Sequence, residues 1–249
     1  MPSAMTGEIR HGICRPDWSV LTRPAARAAL TGRDSIRARI CEKWNQPLEE
    51  TSDLVWRTVL DLFARFARPP SALEIAEKAN LSVAHVGVIF ADLQSHDLLG
   101  MDNSASAIVY AYPFAGQPTD HRVELSGREL YAVCAIDALG VAGMFQKDTT
   151  IKSTCRTCGG RIEIGTARNG KSLSYCRPVG SVVWYDLAYS QTAAKSCCPA
   201  IAFFCSDEHL GQWLLDQKPK RIGCRLTLDE GLEVGRALFE PVLATASER

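Results

Sequence analysis

Between Thr149 and Cys205 the chain alternates apolar and polar residues in five short runs: Thr149–Thr154, Arg161–Thr166, Ser172–Cys176, Val182–Ala188 and Ala200–Cys205. Gly159-Gly160, Asn169-Gly170 and Pro178 separate them. Period two marks half-buried strands, and an Asn-Gly pair between two such runs marks a tight hairpin. A short strand at His121–Leu125 precedes these runs, and helical patterns at Asp207–Gln217 and Leu228–Leu243 come after them. Sequential short strands with flanking helices predict an α+β domain over residues 121–249, built on a mixed or antiparallel sheet.

Residues 51–120 have a different pattern. Leu54, Val55, Val59, Leu60, Leu62, Phe63 and Phe66 recur close to every 3.6 residues, so Asp53–Ala67 reads as a helix ended by Pro69-Pro70. Ser71 with Glu74 forms a capping-box pattern for a second helix at Ala72–Ala79. A third lies at Val83–His96, then a strand at Ala105–Tyr112. This is a winged-helix-like outline. Its third helix and the residue after it carry His85, Asp92, Gln94, His96 and Asp97 but no Lys or Arg. Phosphate neutralisation by basic side chains supplies most non-specific DNA affinity, so DNA is not an expected partner. His85 and His96 read as surface or satisfied core histidines.

Residues 1–50 read as a helical extension. Short patterns around Pro24–Leu30 and Asp34–Trp44 carry Arg23, Arg27, Arg33, Arg37 and Arg39, and the Asn45-Gln46-Pro47 stretch breaks the helical pattern after Trp44. Either this is a basic arm for a partner or a solvated lead-in covering part of the core.

At 249 residues, with 28 basic and 28 acidic side chains, the chain can bury a sizeable core and has no general pull towards nucleic acid or anionic membrane. The first residues lack the apolar stretch of a signal peptide, and no run is long enough to span a bilayer. A cytoplasmic location with reduced thiols is therefore expected. The ten cysteines then point to metal binding or catalysis rather than to staples. Cys14, Cys41 and Cys224 stand alone and read as small buried hydrophobes or bystanders.

Two cysteine groups carry the chemistry. Glu129–Leu139 is rich in Ala, Leu, Ile and Val, with no Pro or Gly before Gly140, and reads as a buried helix with Ser126 and Glu129 as its capping pair. On a helix Cys134 and Asp137, three apart, would share a face. A thiol beside a proton carrier in an apolar setting suggests chemistry at sulfur, and the vicinal pair Cys197-Cys198 offers further thiols. The other group is Cys155-Arg156-Thr157-Cys158-Gly159-Gly160, which has the form of a zinc knuckle. Cys155 and Cys158 are candidate zinc ligands, with Cys176, Cys205 or the vicinal pair as candidates to complete the set. A zinc-binding or thiol-sensing winged-helix transcriptional regulator is the alternative function. A dithiol oxidoreductase using Cys155 and Cys158 lacks the thioredoxin-like setting it would need.

The block Leu130–Leu139 resembles the active-site helix of the organomercurial (alkylmercury) lyases. Ser153-Thr154-Cys155, Ser196-Cys197-Cys198 and Phe203-Phe204 come next in that family's order, and the similarity covers about residues 53–243. The resemblance implies protonolysis of the carbon–mercury bond to a hydrocarbon and Hg(II), in mercury detoxification. It makes Cys134 and Cys197 the mercury-binding catalytic thiols, Asp137 the proton donor, Cys198 an accessory mercury ligand and Cys155 mainly structural. It implies no required cofactor, an organomercurial substrate, and small thiols or a mercuric reductase to receive the mercury. This chain departs from the family pattern in its longer amino-terminal extension, in Pro199 after the pair, and in additional cysteines at 158, 176 and 205.

Overall fold

The computed structural model describes residues 16–44, 46 and 48–244; Cys14, Asn45 and Pro47 lie outside them. Among the described residues a 3-10 turn at Trp18–Val20 precedes five α-helices: α1 (Pro24–Ile36), α2 (Ala38–Trp44), α3 (Glu50–Phe66), α4 (Ala72–Ala79) and α5 (Val83–Ser95). Ser71 and Glu74 cap α4 reciprocally, with Arg68 paired to Glu74. The remaining elements are β1 (Leu99–Met101), β2 (Ile108–Ala111), β3 (Phe114–Ala115), β4 (Arg122–Leu125), β5 (Arg128–Ala132), α6 (Ala135–Phe145), β6 (Thr149–Thr154), β7 (Arg161–Ala167), β8 (Ser172–Arg177), β9 (Val182–Asp186), β10 (Ala202–Phe204), α7 (Asp207–Leu215), β11 (Gly223–Thr227) and α8 (Leu228–Leu243). Among the described residues no helix is long and apolar enough to cross a membrane.

Among the described residues the strands form two antiparallel sheets. The larger runs β1-β2-β3-β5-β4-β6-β7-β8 and the smaller β10-β9-β11. The large sheet crosses residue 120 without interruption, because β3 pairs with β5. Helix α6 is buried from Ala135 to Met144 and lies against β4, β5, β6 and β10 as well as α8.

The sequence placed one helix over Glu129–Leu139; the structure corrects this. Residues 128–132 are strand β5, held on both sides by β3 and β4. Ser126 and Gly127 have φ of +52° and +75° and form the two-residue turn of the β4–β5 hairpin, so Ser126 caps no helix. Helix α6 starts only at Ala135 and continues through Gly140 and Gly143.

Those glycines are there for packing. A Cβ on Gly140 would fall 2.3 Å from Cδ2 of Phe239 and 3.0 Å from the Gly235 carbonyl oxygen on α8. The helix contact thus outweighs the roughly 1 kcal/mol that glycine costs inside a helix. Gly140→Val is expected to lower the thermal midpoint by roughly 5–10 °C through overpacking. A midpoint unchanged to within about a degree would mean that α6 and α8 are free to part at no cost.

Candidate active site

Cys134 is the N-cap of α6, in extended backbone (φ −148°, ψ 177°), and Asp137 occupies the first turn. An N-cap side chain and the third helical residue meet in space, as in a capping box. The two side chains come together for that reason, not because they share the face of an established helix. Cys197 precedes a 3-10 turn at Cys198–Ala200, into whose first turn Pro199 fits. The Ala135 N–H donates to the Ile201 carbonyl, which ties the start of α6 to this turn.

The Cys134 and Cys198 sulfurs and an Asp137 oxygen all lie within 4.8 Å of one another. Cys197 stands outside that trio, and its Sγ is 2.8 Å from Nη2 of Arg37. All four line one cavity of about 60 Å³ with Arg33, Trp44, Tyr112, Tyr185 and Phe239. Cys198 also faces an outer groove formed by Thr119, Asp120, His121, Arg156 and Pro199. The site is dry: Cys134, Asp137, Cys197 and Cys198 are at most 6% exposed.

Burial sets the acid–base character. It raises the Asp137 carboxyl to about 7, although Cys134 and Arg37 oppose the rise. Asp137 Oδ2 is buried with no hydrogen-bond partner among the described residues, which leaves an oxygen open towards the cavity. Burial also pushes the Cys134 thiol up to about 11. Cys197 moves the other way: a hydrogen bond with the Cys198 thiol, then, against burial, the Arg37 guanidinium bring it down to about 7. Cys198, beside two sulfurs, is held well above the ordinary thiol value. Near neutral pH the site therefore holds two groups poised between their states, the Cys197 thiol and the Asp137 carboxyl, beside two thiols that stay protonated.

Several residues that build the site were not singled out from sequence. Arg33 and Arg37 are 2% and 6% exposed and so belong to no basic arm, while α1 and α2 cover part of the core as a lead-in would, with Arg23, Arg27 and Arg39 exposed. Arg33 lies over the Trp44 ring and Arg37 over Tyr189. Asp97, noted only for its charge, is buried and accepts from Tyr189 Oη and the Ala193 N–H, fastening the cysteine loop to the chain after α5. Tyr112 Oη accepts from the Ala194 N–H in the same loop.

The other cysteines fall elsewhere. Cys155, Cys158 and Cys205 gather with His209 in a second cluster. Cys176 is not among them; its thiol donates to the Pro178 carbonyl, and the vicinal pair is likewise absent from that cluster. Cys41 lies 3.7 Å from Asp34, and Cys224 is half-buried in β11.

Comparison with known proteins identifies the family and a similar fold. The family model for alkylmercury lyase, MerB, matches residues 114–240, just over half of the chain. The alkylmercury lyase of Staphylococcus epidermidis is 25% identical over 202 residues, covering 81% of this chain and 88% of the relative. That of Bacillus cereus is 30% identical over 122 residues, 49% and 54% of the two chains. The fold is similar to the crystal structure of the mercury-bound form of MerB2, with a TM-score of 0.70 at 24% identity over 86% of this chain and all of that one. None of these similarities is to a regulator.

Proposed function

The chain belongs to the alkylmercury lyase family and is an organomercurial lyase, and we propose that Cys134, Cys197 and Asp137 carry its reaction. The observation behind this reading is the buried meeting of a thiolate-forming cysteine, a second thiol and an acid near pKa 7 around one cavity.

Mercury is very soft, and thiolates are the soft ligands available to it. Cys197, the more acidic thiol, takes RHg⁺ from a small-thiol adduct and releases that thiol. Cys134 then binds the same mercury, and its proton passes to Asp137. The second sulfur raises electron density at mercury and weakens the bond to carbon. Asp137 returns the proton to carbon, and the hydrocarbon leaves. In sum, RHg⁺, one thiolate and one thiol give RH and a mercury ion held between two sulfurs. No organic cofactor enters. The accessory Cys198, between the cavity and the outer groove, offers the mercury a way out towards small thiols or a mercuric reductase.

The surrounding regions have supporting roles in this proposal. Residues 121–249 form the catalytic unit, and residues 51–120 form a winged-helix-like scaffold whose Asp97 anchors the cysteine loop, with no DNA partner. Residues 1–50 contribute α1 and α2 as the roof over the cavity. The enzyme works in the cytoplasm on a soluble substrate.

The test is methane release from methylmercury with excess small thiol, measured against pH in wild type and Arg37→Met. Only the Cys197 thiolate captures RHg⁺, so kcat/KM for wild type should rise through a pH near 7. Removing the guanidinium takes away one of the two influences that lower this thiol, the Cys198 hydrogen bond remaining, so the limb shifts to higher pH and the rate at pH 7 falls severalfold. The loss should shrink at pH 9. No methane from wild type defeats the function, and an unshifted limb defeats the role of Arg37.

A further inference from the structure

We propose that Cys155, Cys158, Cys205 and His209 form a tetrahedral zinc(II) site that clamps the β6–β7 turn to the start of α7. The four ligand atoms lie within 4.8 Å of one another. Zn–S bonds of about 2.3 Å and Zn–N bonds of about 2.05 Å at tetrahedral angles require S···S near 3.8 Å and S···N near 3.5 Å. The Cys158 and Cys205 sulfurs are 3.7 Å apart, and Cys155 Sγ is 3.6 Å from His209 Nδ1. The Cys205 Sγ to His209 Nδ1 distance is 2.8 Å, a thiol–imidazole hydrogen bond that a shared metal would open by about 0.7 Å. The spacing, C-x2-C on one turn and C-x3-H on another segment, belongs to structural zinc sites.

The backbone around the cluster is shaped for thiolates. The Cys155 N–H bonds to the Gly160 carbonyl and the Gly159 N–H to the Cys155 carbonyl, closing the turn around the first two sulfurs. Gly159 has φ +68°, a left-handed conformation suited to glycine. The Gly160 N–H points at Cys158 Sγ and the Cys205 N–H at Cys155 Sγ, each at 3.4 Å. Ser206 caps α7 and donates no ligand, but by accepting from the His209 N–H it fixes the residue that carries the imidazole. Thr157 Oγ1 donates to the His209 carbonyl, so the two ligand-bearing segments are joined apart from any metal.

The site would act as a brace for the reaction centre. Arg156, between the first two ligands, donates from its backbone N–H to the Phe203 carbonyl and from Nη2 to the Pro199 carbonyl. Pro199 comes directly after the vicinal cysteines. A metal holding the turn therefore holds the segment that carries Cys197 and Cys198. Packing alone is a poor explanation, because Cys158 is exposed and Cys205 and His209 only half-buried.

The test is zinc content by elemental analysis of the full-length protein, together with the spectrum of the cobalt(II)-substituted form. Wild type should carry about one equivalent of zinc. Cobalt(II) should give thiolate charge-transfer and intense tetrahedral ligand-field bands. Cys158→Ser, at an exposed position, should fold but lose nearly all the zinc, and His209→Ala should do the same. Cys134→Ser should keep it, which separates this cluster from the Cys134, Asp137 and Cys198 trio whatever becomes of the lyase reading. Chelation should lower the thermal midpoint of wild type and leave that of Cys158→Ser unchanged. Zinc lost in Cys134→Ser but kept in Cys158→Ser would overturn the proposal. So would a wild type that takes up no zinc and holds a Cys158–Cys205 disulfide instead.

Discussion

Asp137→Asn is expected to lower methane release from methylmercury by about 10²–10⁴-fold, the usual contribution of a positioned acid or base, while the protein still takes up mercury. The substitution changes almost nothing in shape, so α6 should form and the cavity should persist. It removes a group near 7 that can take the Cys134 proton once mercury binds that sulfur and deliver it near neutral pH. An amide does neither. The orphaned Oδ2 adds to the case: a buried oxygen without a partner among the described residues is costly, and it belongs to a residue that lines the cavity. Headspace methane and the mass of the mercurated protein measure the two halves separately. Unimpaired methane release from the variant would remove Asp137 from the mechanism.

Much of the fold is legible locally. Helix α4 falls on the expected residues because its capping box is written within four positions, and α8 coincides with its apolar period. The runs at Thr149–Thr154 and Arg161–Thr166 form strands because their apolar alternation matches a sheet with one buried face, whereas Val182–Asp186 is buried throughout. The failure at Glu129–Leu139 is instructive. Ala, Leu and Val suit a buried strand as well as a helix, and the arbiter was the Ser126-Gly127 turn, whose positive φ values turn the chain back as a hairpin. Gly140 looked like a stop because its reason, contact with Phe239 on α8, lies a hundred residues away. Even so, Cys134 and Asp137 meet, since three residues also separate an N-cap from the third helical position.

The burial of Arg33 and Arg37 is hidden from the sequence for a similar reason. A charged residue is ordinarily solvated, and only distant partners make its burial tolerable. Yet Ala26, Ala29 and Leu30 are buried on α1, and Arg33 and Arg37 continue that stripe at helical spacing. The same holds for His209, four residues after Cys205, where the local spacing was visible and the converging C-x2-C turn was not.

The largest losses should come from the thiols, and they should be unequal. Cys134→Ser and Cys197→Ser are each expected to bring methane release to background, because a hydroxyl is a hard, weakly acidic ligand that mercury does not favour over small thiols in solution. Cys198→Ser should cost less than about tenfold. Geometry alone would rank them differently, since Cys198 lies nearer to Cys134 and Asp137 than Cys197 does. Acidity decides the matter. Capture of RHg⁺ needs a thiolate; the Cys198 hydrogen bond and then Arg37 bring Cys197 to about 7, while Cys198 donates into its neighbours and stays protonated. The Cys197 sulfur faces the guanidinium, while the Cys198 sulfur, hydrogen-bonded to it, lies beside Cys134 and the acid. A mercury bound first at Cys197 must then draw Cys134 across the cavity, displacing the Cys198 thiol from between them. Steady-state methane release from the three variants at pH 7, with uptake of mercury by mass, resolves the order. An inactive Cys198→Ser beside an active Cys197→Ser would exchange the two roles and leave Arg37 without a catalytic partner.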